Sequence, residues 1–177
     1  MTFRFVIMLI TIFQFTSIRS QTITLDDLIY FQTIKNSLTI DSVLQSKDNW
    51  DCNCIREHGY LDWIKEWHYG ITDSSNTNID KDYIKFDQVG NGFSSTITFY
   101  TTDINKSNVI LSEMKEKYLE EKVQENDSDL IRARISFFIA DNVVIQAMIA
   151  ESKVNATSKH MFVLMDKVDY LKGLMIK

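Results

Sequence analysis

Residues 131–140 read IRARISFFIA, and the reading of this stretch decides the fold class. Ile131, Ala133, Ile135, Phe137 and Ile139 alternate with Arg132, Arg134 and Ser136. A period of two places the aliphatic set on one face and the polar set on the other, the pattern of a half-buried antiparallel strand. Working outward, Asp141-Asn142 supplies a turn, and Val143 to Ala150 is a more evenly apolar run that suits a central strand. An Asn155-centred loop leads to a further strand, His160 to Met165. Upstream, Tyr83 to Val89 and Phe93 to Thr101 flank Gly90-Asn91-Gly92 as a hairpin. In its second strand Phe93, Ile97 and Phe99 face one way, with Ser95 among them. Tyr60 to Tyr69 (YLDWIKEWHY) fits either period, and its density of aromatics favours a strand with Trp63, Lys65, Trp67 and Tyr69 on one face.

Three stretches carry helical spacing. Thr24 to Lys35 opens with Thr24 as N-cap and Asp27 three positions later, close to a capping box. A short helix follows over Ile40 to Ser46, capped by Thr39 or Asp41. Asp103 to Lys122 places Ile110, Met114 and Tyr118 at i, i+4 and i+8, with Leu111 widening the stripe. The order is helix, helix, three strands, helix, three strands. Runs of strands separated by a helix predict an α+β fold with a largely antiparallel sheet of about six strands and a helical layer on one face. The other face, carrying Arg132 and Arg134, is expected to meet water or a partner.

The N-terminus reads as an address. Arg4 precedes an apolar run, Phe5 to Phe15 (FVIMLITIFQF), and Thr16 to Ser20 (TSIRS) is polar and ends in a small residue. This is the layout of a secretory signal peptide over residues 1–20, with cleavage between Ser20 and Gln21. The apolar run is shorter than the roughly 20 residues a spanning helix needs. Residues 21–177 then form a single α+β domain, secreted or periplasmic, with no membrane attachment after leader removal. Without the two leader arginines the charge is 17 Lys+Arg against 24 Asp+Glu, or −7. An acidic chain without a basic cluster is a poor ligand for nucleic acid.

A leader, then Thr22-Ile23-Thr24-Leu25 with Leu28, then Ser46-Lys47 with Trp50, resembles small exported proteins of Gram-negative bacteria. That resemblance implies export and supplies neither an activity nor site residues.

Chemistry-bearing residues gather in two places. Cys52, Cys54 and His58 (DCNCIREH) form the sharpest cluster. Two thiolates and an imidazole suit zinc or copper(I), with His68 or Asp51 as a fourth ligand, although the spacing is not a zinc-finger pattern. The same cysteines in an oxidising compartment suggest a disulfide, strained because i, i+2 Cα atoms on a strand lie near the limit of about 7 Å. Two ordinary thiols are the third reading. The second place is Trp63, Trp67 and Tyr69, either sheet packing or a binding face for a protein or glycan. No G-x-S-x-G and no phosphate-binding glycine loop occur, and no catalytic residue or cofactor is assigned. The sequence therefore points to an exported, non-enzymatic binding protein, with a metal-binding or redox-active protein built on Cys52, Cys54 and His58 as the alternative. Mass spectrometry of the chain after export is expected to find Gln21 at its N-terminus; an intact Met1 would remove the leader reading.

Overall fold

The computed structural model describes residues 22–47, 49–57, 63–70, 82–89, 94–155 and 157–175, with backbone alone for 53–57, 63, 174 and 175. The leader with Ser20 and Gln21, the Gly90-Asn91-Gly92 turn and His58 lie outside these residues. The fold is α+β with an antiparallel sheet, as the periodicity implies, but among the described residues the sheet has eight strands rather than about six and there are four helices, the last of them unforeseen.

The described residues open with α1 (Leu25–Ile34). Thr24 Oγ1 accepts from the Asp27 N–H at 3.1 Å, and Asp27 Oδ2 accepts from the Thr24 N–H at 2.9 Å, so two otherwise orphan donors are satisfied reciprocally. Lys35 ends the helix in a left-handed conformation (φ 48°), and the next helix follows at once. That helix, α2 (Ser37–Gln45), starts three residues before its expected position. Asn36, not Thr39 or Asp41, is the cap, accepting from the N–H groups of Leu38 and Thr39 at 3.0 and 3.1 Å. A meander follows: β1 (Trp50–Glu57), β2 (Trp63–Tyr69), β3 (Tyr83–Val89) and β4 (Ser94–Thr101).

The second half opens with α3 (Ile104–Lys117), capped by Asp103. It stops earlier than its charge pattern suggests, because Tyr118 is extended (φ −133°), and Glu120–Asp127 is a strand, β5. Then come β6 (Ile131–Ala140), β7 (Val143–Ser152), β8 (Ser158–Asp166) and a last helix, α4 (Lys167–Met175). The two unforeseen strands, β1 and β5, are the two edges of the sheet. Glu121 to Asp127 of β5 are exposed, and EEKVQEND shows no apolar alternation. A charged edge also resists pairing with foreign strands.

The strand order β1-β2-β3-β4-β8-β7-β6-β5 is two four-stranded meanders joined antiparallel along β4 and β8. Both α1 and α3 cross this seam, each touching β4 and β8. Leu25, Leu28 and Phe31 of α1 and Ile110 and Met114 of α3 pack with Ile84, Phe86, Ile97, Phe99, Phe138, Ile145, Phe162 and Leu164 from five strands. Phe99 and Phe162 stack across the seam at 6.3 Å.

The register corrects the orientation expected for residues 131–140. Paired residues of antiparallel strands share a face. Phe138 pairs with Ile145, and both are wholly buried under the helical layer. The covered row of β6 is therefore Arg132, Arg134, Ser136, Phe138 and Ala140, and the aliphatic row faces the other way. The helices reach only the inner end of this row, so Ser136, Phe138 and Ala140 are buried while Arg132 and Arg134 remain exposed beyond them. Truncating Phe99 to Ala is expected to cost about 3–5 kcal/mol, and Asn36→Ala about 1 kcal/mol. Denaturant unfolding followed by circular dichroism measures both; a smaller loss for Phe99→Ala than for Asn36→Ala would contradict the central placement of the seam.

Candidate functional site

The face of the sheet turned away from α1, α2 and α3 is built by register alone. Gln124, Ile135, Met148, Met161, Tyr100, Tyr83, His68 and Asp51 are successive cross-strand partners and form one row across all eight strands. The aromatic stretch of the row is ordered by ring contacts. Tyr83 stacks on Tyr100 at 5.0 Å with 17° between planes, and His68 lies 5.8 Å from Tyr83. Burial, then the Glu66 carboxylate, raises the Tyr83 phenol above its ordinary 10.0, so it stays neutral and polar at physiological pH.

The two halves of this open face differ in chemistry. On β6 to β8 it carries Ile131, Ala133, Ile135, Phe137 and Ile139, then Val144, Gln146, Met148 and Ala150, then Met161, Val163 and Met165. Among the described strand residues that register places on this half of the face, Lys122 and Lys159 are charged, and α4 adds Lys172 paired with Asp169. One end is covered by α4, where Tyr170 meets Phe137 at 5.9 Å and Val144 is fully buried. The rest is open: Ile135, Met148 and Met161 are half-buried, and Ile131 is 49% exposed. On β1 to β3 the described side chains of the open face include Asp51, Glu66 and Asp87 against Lys85. Lys85 pairs with Asp87 at 2.8 Å, and His68 Nε2 stands 3.6 Å from Glu66.

Polar groups on the covered face are spent on joining layers. Asp41 of α2 accepts from Trp67 Nε1 at 2.9 Å and Lys65 Nζ at 3.2 Å, and the Lys65 ammonium lies 5.1 Å from the Trp67 ring. Buried Asp82 accepts from Thr101 Oγ1 at 2.6 Å and is paired with Lys106 of α3. Ser107 of α3 and His160 of β8 share a hydrogen bond of 2.8 Å, and the other ring nitrogen is 3.1 Å from Ser158 Oγ. Both imidazole nitrogens are thus held by hydroxyls. Ser107 is wholly buried, which closes it to any substrate, so the pair acts as a clasp between α3 and the sheet.

Past the end of the helical layer, Glu125, Arg132, Arg134, Ile149 and Glu151 line an open hollow of about 480 Å³. Arg134 reaches Glu120 and Glu125 at 3.4 and 3.5 Å, and Arg132 reaches Asp127 at 3.7 Å. A hydrogen bond from Ser136, then one from Arg134, lowers the Glu120 carboxyl below its ordinary value. These pairs are solvated and contribute little to stability.

The residues singled out from the sequence scatter across this geometry. Trp67 is 1% exposed beneath α2, and Tyr69 packs on Trp50 at 5.4 Å on the same covered side, so neither presents a binding face. The side chain of Trp63 is not among those described. Cys52 is exposed on β1. The register of β1 shifts between Cys52 and Cys54, which stand opposite Trp67 and Glu66, neighbours of opposite parity on β2. Among the described residues no three His, Cys, Asp or Glu gather around one point. Sequence reasoning missed the Met148–Met161–Tyr100–Tyr83–His68 row. Its signal was present as a second apolar set on Val143–Ala150 and His160–Met165, but a row is visible only once strands are placed side by side.

No family model, curated protein or solved structure matches the chain. Among the described residues no helix is long and apolar enough to cross a membrane.

The His160 clasp has a pH signature. Burial lowers its pKa below the ordinary 6.5, with the Glu151 carboxylate acting in the opposite sense. The unfolded chain then takes up the proton first, so stability is full above 6.5 and falls as pH drops below it toward the depressed folded value. Urea unfolding from about pH 8 to about pH 5 is expected to show a steeper loss for the native chain than for His160→Gln. Identical slopes would remove the clasp from the pH dependence.

Proposed function

We propose that this chain is an exported binding protein whose partner, another protein, docks on the open face of β6 to β8. One observation carries the reading. The strongest aliphatic row in the sequence, Ile131 to Ile139, turns away from the main helical layer and stays half-exposed beside Met148 and Met161. Sequestering such a row under the helices was open to the fold, and an exposed contiguous apolar strip marks an interaction surface. Methionine adds a polarizable, adaptable side chain suited to a protein contact. A glycan platform needs broad exposed rings, and Trp50 and Trp67 are buried on the other side. The acidic composition speaks against nucleic acid.

Met148 lies centrally and half-buried, so Met148→Glu places a charge in the middle of the strip without emptying the core. With the purified protein immobilised in its native exported fraction, the substitution is expected to reduce partner recovery about tenfold or more, as loss of about 1.4 kcal/mol would, while circular dichroism stays unchanged. Recovery unaffected by the charge would overturn the reading.

A further inference from the structure

We infer that Ser158 is the nucleophile of a carboxylic-ester hydrolase site, with His160 as its general base and Ser107 as the residue that positions the imidazole. The site lies on the covered side of the sheet, beside the first residue of α3. It stands independently of any partner on the open face.

Three side chains are arranged in series. Ser158 opens β8 and His160 stands two residues on, so both project from the same face of the strand. Ser158 Oγ is 3.1 Å from His160 Nε2, and His160 Nδ1 is 2.8 Å from Ser107 Oγ on α3. Both distances are within the reach that a nucleophile, its base and an orienting group require. The assigned tautomer carries its proton on Nδ1, which donates to Ser107. That leaves the Nε2 lone pair facing the Ser158 hydroxyl. Burial is graded in the same order: Ser107 is wholly buried, His160 is 2% exposed and Ser158 is half-buried. The ring is thus locked from behind, and the outermost hydroxyl is the one within reach of a substrate.

That hydroxyl opens onto room. Ser158 lines a hollow of about 580 Å³ with Ile104, Arg132, Glu151, Lys153 and Thr157. This hollow adjoins the one at Arg134, since Arg132 and Glu151 line both. Ile104 and Ile149 give the combined groove apolar wall for an acyl chain. Arg132 and Lys153, held at the rim by Asp127, supply N–H donors for a developing oxyanion.

The reaction balances with water as co-reactant. Ser158 Oγ attacks the ester carbonyl carbon, and its proton passes to His160 Nε2. Collapse of the tetrahedral intermediate breaks the C–O bond to the alcohol, which leaves with that proton. Water then attacks the acyl-serine and gives a proton to His160. Ser158 takes this proton back as the carboxylic acid departs. An ester suits the site better than an amide. Ser107 is a neutral hydroxyl, so it orients the imidazolium without offsetting its charge as a carboxylate would, and an alcohol leaves with less help than an amine. Around the ring, β7 brings Glu151, β4 brings Thr101 and α3 brings Ser107, while nearby Lys106 and Asp103 are engaged with Asp82 and the α3 cap. Burial holds the imidazole below its ordinary 6.5, against the Glu151 carboxylate, so the base is neutral at physiological pH.

Hydrolysis of p-nitrophenyl acetate and labelling with diisopropyl fluorophosphate, mapped by peptide mass spectrometry, test the site. In labelling, Ser158 Oγ bonds to phosphorus and fluoride leaves. A single adduct on Ser158 is expected, with kcat/KM level above pH 6.5 and falling below it as the imidazole is protonated. Ser158→Ala, at the exposed end of β8, is expected to remove both the adduct and the hydrolysis. Ser107→Ala is expected to lower kcat about tenfold at unchanged KM, a split that loosened packing alone does not give. His160→Gln is expected to slow acylation about a hundredfold or more, with circular dichroism checking its fold. An unlabelled Ser158, a Ser158→Ala chain that hydrolyses the ester as fast as the native one, or a rate indifferent to pH across this range would each overturn the inference.

Discussion

The antiparallel pairing of β4 with β8 is the constraint on which the rest of the structure depends. It joins the last strand of one meander to the last strand of the other, so it makes one eight-stranded sheet from two four-stranded pieces. The aromatic contact of Phe99 with Phe162 lies on this seam, and α1 and α3 cross it side by side. Most of the buried apolar area is therefore concentrated at the middle of the sheet. Contacts between strands about 60 residues apart must form before either helix has a complete floor, which makes this a slow, non-local step in folding.

Concentrating the core at the centre leaves the periphery short of cover. In the first half α2 extends the helical layer toward the edge, tied down by Asp41 on Lys65 and Trp67. Among the described residues the second half has no helix in the corresponding place, and Arg132 and Arg134 stay exposed and pair with the carboxylates of β5. On the other side of the sheet α4 covers one end of β6 to β8 and leaves the rest of an aliphatic row open. The uneven cover, more than any single residue, is what leaves an apolar strip open on the sheet. It also explains why the polar pairs on the covered face are structural. Ser107 with His160, and Asp82 with Lys106 and Thr101, hold α3 to the sheet at positions that solvent scarcely reaches.

Much of the fold was legible because local signals and tertiary packing agree. Thr24 and Asp27 cap α1 as their spacing implies, Ile110 and Met114 face the core, and β3 pairs with β4 as a hairpin. The misreadings have physical causes. The edge strands lack alternation because an edge without a covering layer selects for charge on both faces. The start of α2 shifted because Asn36 offers a better cap than Thr39. The candidate site was hardest to see. Trp67 looks like an exposed aromatic anchor in the sequence and is a buried one in the fold, while Met148 and Met161 are unremarkable in the chain and adjacent in the sheet.

By itself the sequence determined which residues alternate, where α1 and α3 begin, and that the class is α+β with an antiparallel sheet, because these follow from the period of side chains along one strand or one helix. Only the tertiary structure decided which face of β6 lies under helices. A period of two says that two faces exist and cannot say which one a distant element will cover. Arg132 and Arg134 share the covered side with Phe138 because α1 and α3 reach no farther than the end of that row. The apolar row that looked like the core became the open face for the same reason.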